Sequence, residues 1–193
     1  MILGVKGNSG CELQVLGDKI QKSCLPSYND RLEIQCKKQS EFNSDLFTTP
    51  KRYESGIKED GNFFFSMEFK QCKTFDKVFN VATKYYLDNI SDKLINFVIK
   101  NVEKQEQYSS KIVISKYESV KNNIRVQKNI DVSYLDDIFY SLDKTITIPA
   151  GYCHGDLTLS NLLFDGDEIV LLDFLDTYLD SPIQDIVKLR QDT

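Results

Sequence analysis

The sequence predicts an α+β fold of two lobes, with a β-rich first third and a mainly helical remainder. Three observations carry this. The first 24 residues alternate like strands, with turn formers between them. From Phe75 to Leu142, apolar residues recur at three- and four-residue spacing. Short strand-like runs then return near the end, joined by Asp165-Gly166-Asp167-Glu168.

Residues 2–6, 12–16 and 19–24 are the first three strands, separated by Gly7-Asn8-Ser9-Gly10 and by Gly17-Asp18. Residues 31–42 hold no Gly or Pro and are expected to be helical. Residues 63–69 are short, aromatic and bounded by Gly61-Asn62, which suits a strand, and a hinge is expected near Met67 to Cys72. Phe75, Val78, Phe79, Ala82 and Tyr86 share one helical face, and Leu94, Phe97, Val98 and Val102 share another. Ile112, Ser115, Lys116 and, more weakly, Val120 mark a third; Tyr134, Leu135, Ile138, Phe139 and Leu142 a fourth. Residues 162–164 and 169–172 form a hairpin. The last helix spans 182–190, with Ser181 as N-cap and Pro182 in its first turn. Its face of Ile183, Ile186 and Val187 calls for something to pack against, and no Gly or Pro stop follows it. The lobes are assigned to residues 1–70 and 71–193.

With 24 Lys and Arg against 29 Asp and Glu, the net charge of −5 gives no general electrostatic case for nucleic acid. An acidic chain can still hold phosphates through backbone donors and metal ions. Cys11, Cys24, Cys36, Cys72 and Cys153 are odd in number, scattered and free of any CxxC pair, and His154 is the sole histidine. That argues against a zinc site and for reduced thiols in the cytoplasm. No stretch approaches the ~20 apolar residues of a membrane span, and the apolar run in MILGVKGNSG is too short for a signal peptide.

The chemistry concentrates in residues 153–176, CHGDLTLSNLLFDGDEIVLLDFLD. Asp156 and Asn161 stand five apart in a polar loop before the hairpin, and Asp173 follows twelve residues later at the hairpin's far end. The hairpin folds the chain back, so Asn161 and Asp173 converge while Asp156 reaches over the same point. A carboxylate and an amide oxygen suit the hard ion Mg²⁺, and a further carboxylate can orient a hydroxyl and take its proton. Asn161 and Asp173 are therefore assigned to metal, Asp156 to the base role. Any one such Asp is more often a turn residue; the joint spacing is what separates this segment from an acidic surface loop.

H-G-D-x-x-x-x-N followed by L-x-D-F-x-D resembles the catalytic loop and metal segment of the aminoglycoside phosphotransferase, choline kinase and fructosamine kinase superfamily, relatives of the protein kinases. Gly155 and the pair Leu175-Asp176 point to its small-molecule branch. The resemblance is specific from Cys153 to Asp185 and implies a protein-kinase-like two-lobed fold. It also implies ATP and Mg²⁺ as cofactors and transfer of the γ-phosphoryl group to a hydroxyl of a small polar metabolite, with neither nucleic acid nor membrane as partner. It further implies that Asp176 supports the metal site, that Asp185 braces the catalytic loop, and that the His154 ring positions Asp156. The run GNSGCE to RQDT is similar to bacterial phosphotransferases of surface-polysaccharide or sugar metabolism, so a sugar, aminoglycoside or amino alcohol is the implied acceptor. Family members continue with further helices that line the acceptor pocket, so the chain is expected to be a C-terminally shortened version of the fold.

On the nucleotide side, Gly7, Asn8, Ser9 and Gly10 would let backbone N–H groups approach phosphates, although a plain hairpin turn explains them nearly as well. No GK[ST] follows, which excludes a Walker loop. The lysine the resemblance calls for on the third strand is Lys22, with Lys19 one face away. Its acidic partner is expected where Gln35 stands, with Glu33 near it and Glu41 further along. Residues 63–69 resemble the strand and hinge against which adenine stacks, yet aromatics there equally suit a core. A nucleotide-binding pseudokinase is the alternative. A protein kinase is disfavoured, because Ser181-Pro182 follows Asp173 too closely to leave an activation segment.

Overall fold

The computed structural model describes residues 4–6, 11–102 and 104–192. Strands β1 (Gly4–Lys6), β2 (Cys11–Leu16) and β3 (Lys19–Cys24) lead into helix α1 (Asn29–Glu41), which is followed by β4 (Arg52–Ile57) and β5 (Phe63–Glu68). They build one antiparallel sheet in the order β1-β2-β3-β5-β4. Gly17 takes the positive φ of 69° that closes the β2–β3 turn. Leu32 and Cys36 on α1 pack with Cys11, Cys24, Phe63, Phe65 and Met67 of the sheet into a first core. The aromatics of β5 thus divide their work: Phe63 and Phe65 are buried, while Phe64 is only partly so.

The second part contains β6 (Lys73–Thr74), α2 (Phe75–Phe79), α3 (Lys84–Val102), β7 (Gln105–Ser109), α4 (Lys111–Lys128), α5 (Asp136–Tyr140), β8 (Thr145–Pro149), β9 (Leu162–Asp165), β10 (Glu168–Leu171) and α6 (Pro182–Asp192). The β9–β10 hairpin pairs Leu162 with Leu171, and β6 joins it as a third strand. Leu157, Leu162, Phe164, Ile169, Leu171 and Phe174 meet Ile90, Leu94 and Phe97 of α3 in the second core.

Three departures from the sequence reading have local causes. The apolar face from Phe75 to Tyr86 is interrupted. Val81 and Ala82 both donate their N–H to Val78 O, ending α2, and Thr83 Oγ1 accepts the Tyr86 N–H as the next helix begins. The face from Tyr134 to Leu142 is only a 3-10 turn and the five-residue α5. Strands β4, β7 and β8 escaped notice because they are short: β4 is a polar, exposed edge, and β7 and β8 pair only with each other.

The two parts are stitched by the segment between α1 and β4. Thr48 bridges Val170 in parallel, its N–H donating to Ile169 O at 3.0 Å and its O accepting from Leu171 N at 2.8 Å. Phe42, just past α1, sets its ring 5.3 Å from Phe174 and 5.4 Å from Tyr152. Lys70, in the connection after β5, ion-pairs with Glu168 of the hairpin at 3.4 Å. Among the described residues no helix is long and apolar enough to cross a membrane, and all five cysteines are free.

Phe174 is the packing centre of this junction, 1% exposed and in ring contact with Phe42, Tyr152 and His154. Phe174→Ala is expected to cost ~3–5 kcal/mol of folding stability, as aromatic truncations in cores do. Urea unfolding followed by far-UV circular dichroism measures it; a loss below ~1 kcal/mol would show that this junction does not hold the parts together.

Candidate active site

The loop from His154 to Asn161 is shaped by a buried carboxylate. Asp185 of α6, 1% exposed, accepts the backbone N–H groups of His154 and Gly155, both at 2.8 Å. Burial raises its pKa to about 6 despite these two donors. Gly155 has φ +86°, and a Cβ there would stand 2.6 Å from Thr177 Cγ2, so only glycine lets the loop pass under the following segment. His154 O in turn accepts the Leu175 N–H at 2.9 Å.

The His154 ring is wholly buried. Nδ1 accepts the Asp156 N–H at 3.2 Å, so Nε2 carries the proton and donates it to Leu172 O at 2.7 Å. Desolvation lowers the ring's pKa to about 4. A neutral ring that joins the loop to the strand end positions Asp156 and has no free nitrogen with which to act as a base.

Asp156 faces outward from this frame. Asn161 Nδ2 donates to Asp156 O at 2.8 Å and to Asp156 Oδ2 at 3.1 Å, and Lys188 Nζ lies 2.9 Å from Asp156 Oδ1. With its Nδ2 so engaged, Asn161 has Oδ1 as its remaining side-chain acceptor. The Leu172 N–H donates to Asn161 O at 3.0 Å, which brings Asp173 next to Asn161. Asp173 takes a left-handed φ of 58°, sparsely populated for a non-glycine residue, and its side chain is half exposed. One carboxylate and one amide oxygen suit Mg²⁺, which fills its remaining positions from phosphates and water. Among the described residues no three His, Cys, Asp or Glu converge on a common point.

Lys22 reaches this point from the middle of the sheet. Its side chain is only 7% exposed, and Nζ lies 3.0 Å from Asp173 Oδ1 and 3.2 Å from Gln35 Oε1. The lysine's carboxylate partner is therefore Asp173, and the α1 position that was expected to hold an acid supplies an amide acceptor. Lys19, at the start of β3, lies over the Tyr53 ring instead. Helix α1 adds three more contacts from the same face: Arg31 Nε to Asp176 Oδ1 at 2.6 Å, and Lys38 Nζ to Asp180 Oδ1 at 2.7 Å and Thr177 Oγ1 at 2.9 Å. Residues 31, 35 and 38 have the spacing of one helical stripe, and all three grip the segment after Asp173.

The structure thus brings Asp156 to Asn161 and Lys22 to Asp173, with the two pairs linked through residues 161 and 172. Gly7, Asn8, Ser9 and Gly10 lie outside the described residues. Sequence reasoning missed Arg31, Lys38 and Lys188. A signal for Lys188 was present, since it follows Asp185 by three residues and so shares its helix face.

Because His154 is the sole histidine, its protonation can be followed without ambiguity. Its imidazole NMR signals are expected to stay those of a neutral Nε2–H ring from pH 8 to pH 5. A midpoint near the ordinary 6.5 would refute the buried ring. The effect on stability has two opposing signs. Between about pH 4 and 6 folding excludes a proton from His154, which costs stability as pH falls, but retains one on Asp185, which adds it. The pair should therefore contribute little slope to stability across that window.

No curated protein sequence matches the chain. Residues 118–192 match the family described as the phosphotransferase enzyme family. Among solved structures, the ternary complex of the aminoglycoside phosphotransferase APH(2″)-IIa with streptomycin and ATP aligns over 97% of this chain and 70% of its own, with TM-score 0.65 and 11% identity. Aminoglycoside 2′-phosphotransferase-IIIa, solved with GDP, aligns over 100% of this chain and 72% of its own, with TM-score 0.60 and 19% identity. A choline/ethanolamine kinase family protein from Mesorhizobium loti gives TM-score 0.56 at 11% identity, covering 100% of this chain and 64% of its own. The chain therefore shares the protein-kinase-like fold of these solved structures, and its sequence match to the phosphotransferase enzyme family is confined to residues 118–192.

Proposed function

We propose that the chain is an ATP-dependent, Mg²⁺-requiring phosphotransferase that moves the γ-phosphoryl group to a hydroxyl of a small polar metabolite such as a sugar, an aminoglycoside or an amino alcohol. Residues 1–70 form the nucleotide lobe and 71–193 the catalytic lobe, and Gly7, Asn8, Ser9, Gly10 and Lys22 serve the nucleotide. The observation that carries the reading is the linked pairing of Asp156 with Asn161 and of Lys22 with Asp173. The nucleotides in the neighbours' structures, ATP in one and GDP in another, support a purine nucleotide as donor. Five unpaired cysteines support the cytoplasm as its place.

In this reading Asp156 accepts the acceptor hydroxyl's proton, and its orientation is set by Asn161 and by the His154 frame. Asn161 Oδ1 and Asp173 would hold Mg²⁺, which when bound neutralises phosphate charge. Lys22, buried and already paired, presents its ammonium to the nucleotide phosphates. A second reading, a nucleotide-binding protein of impaired catalysis, is favoured by one observation: Gln35 stands where an acid was expected, so Lys22 binds Asp173 directly.

Asp156→Asn should leave ATP affinity nearly intact and lower turnover ~10²–10⁴-fold, the usual worth of a positioned base. Radiolabelled phosphate transfer to a panel of sugars and amino alcohols, together with ATP calorimetry, reads both quantities; wild-type turnover in the variant removes Asp156 from this role. Asp173→Ala should abolish the Mg²⁺-dependent part of ATP binding, read by calorimetry with and without the ion. Equal affinities in variant and wild type would place the metal elsewhere. Transfer by the wild-type chain separates the first reading from the second.

A further inference from the structure

Helix α6 touches the catalytic loop at three successive points from one face. Asp185 takes the N–H groups of His154 and Gly155, Lys188 meets Asp156 Oδ1, and Asp192 Oδ2 accepts the Leu159 N–H at 2.6 Å. Their spacing of three and four residues is that of one helical stripe. All three lie outside the two sequence motifs, and Lys188 is the one that meets the Asp156 carboxylate itself. Its side chain is 35% exposed and that of Asp156 27%, so the pair is mostly shielded.

We propose that Lys188 is a positioning residue for Asp156. One carboxylate oxygen is held by the Lys188 ammonium and the other by the Asn161 amide, at 2.9 and 3.1 Å from opposite sides. A carboxylate held at both oxygens cannot swing about its terminal bond. Each oxygen still keeps a second lone pair for the acceptor hydroxyl. Behind Asp156 the His154 ring is neutral and its Nδ1 is committed to the Asp156 N–H, so it supplies no charge. The cation that orients Asp156 comes from α6, a helix outside the catalytic loop. A partly exposed ion pair contributes little to folding, so the consequence of Lys188 lies in orientation, where a displacement of ~1 Å can cost ~10²-fold in rate.

The proposal rests on the reading of Asp156 as the base, and two independent measurements separate their failures. The first is phosphate release from ATP with water as acceptor, for wild type, Lys188→Met and Lys188→Arg. Lys188→Met should lower kcat ~10-fold or more with KM for ATP unchanged, and Lys188→Arg should recover most of that loss. A kcat equal to wild type in Lys188→Met, or an arginine variant as impaired as the methionine one, overturns the positioning role. The second needs no turnover: the ¹⁵N-resolved signals of the Asn161 side-chain amide and the Asp156 backbone amide. Both should shift in Lys188→Met and stay close to wild type in Lys188→Arg; unchanged signals in Lys188→Met overturn the proposal even where the protein hydrolyses no ATP. Wild-type hydrolysis that persists in Asp156→Asn, alongside the expected amide shifts, removes the base reading and leaves the Lys188 contact standing.

Discussion

A carboxylate buried as deeply as Asp185 must be satisfied by donors that cannot move away, and that requirement organises the site. Two backbone N–H groups, from His154 and Gly155, meet it. Backbone donors of this kind fix the loop's path rather than one side chain's rotamer. The path then needs a glycine at the second position, because the loop runs against Thr177 and Leu175. It also turns His154 inward, where its ring can bond to both Asp156 and Leu172. From one buried carboxylate, the positions of the His154–Asn161 loop, the strand end before Asp173 and helix α6 all follow.

The sheet side meets this frame through α1. Its stripe of Arg31, Gln35 and Lys38 bonds to Asp176, Lys22 and the Thr177–Asp180 turn. Gln35 is the telling member. A neutral amide can accept a hydrogen bond from Lys22 but cannot balance its charge, and a lysine this buried requires a counter-ion. Asp173 supplies it from the other part of the chain. An electrostatic need created in the sheet is thus answered across the cleft, on the carboxylate assigned to the metal.

The structural likeness extends over nearly all of this chain at 9–19% identity, while the sequence match is limited to residues 118–192. The difference has a physical basis. A sheet needs only alternating apolar residues and turns, which many sequences satisfy. A loop whose path depends on a buried carboxylate, a glycine at positive φ and a buried ring admits few residue types at each position.

The convergence of Asp156, Asn161 and Asp173 was legible in the sequence from their spacing, and the hairpin between them from Asp165-Gly166 and its apolar flanks. Strands β2 and β3, helices α1 and α3, and the capped start of α6 were legible as well, because local periodicity and turn chemistry dictate them. Strands β4, β7 and β8 were not: β4 is a polar edge strand, and β7 and β8 find their partner only in each other, with α4 and α5 between them in the chain. Nor were the partners of Lys22 and Asp156. Asp173 lies 151 residues from Lys22, and Lys188 belongs to a helix whose register against the loop is set by packing. Sequence fixes which groups carry charge and how they are spaced along the chain; which opposite charge each one meets is decided by burial, and burial exists only once the chain is folded.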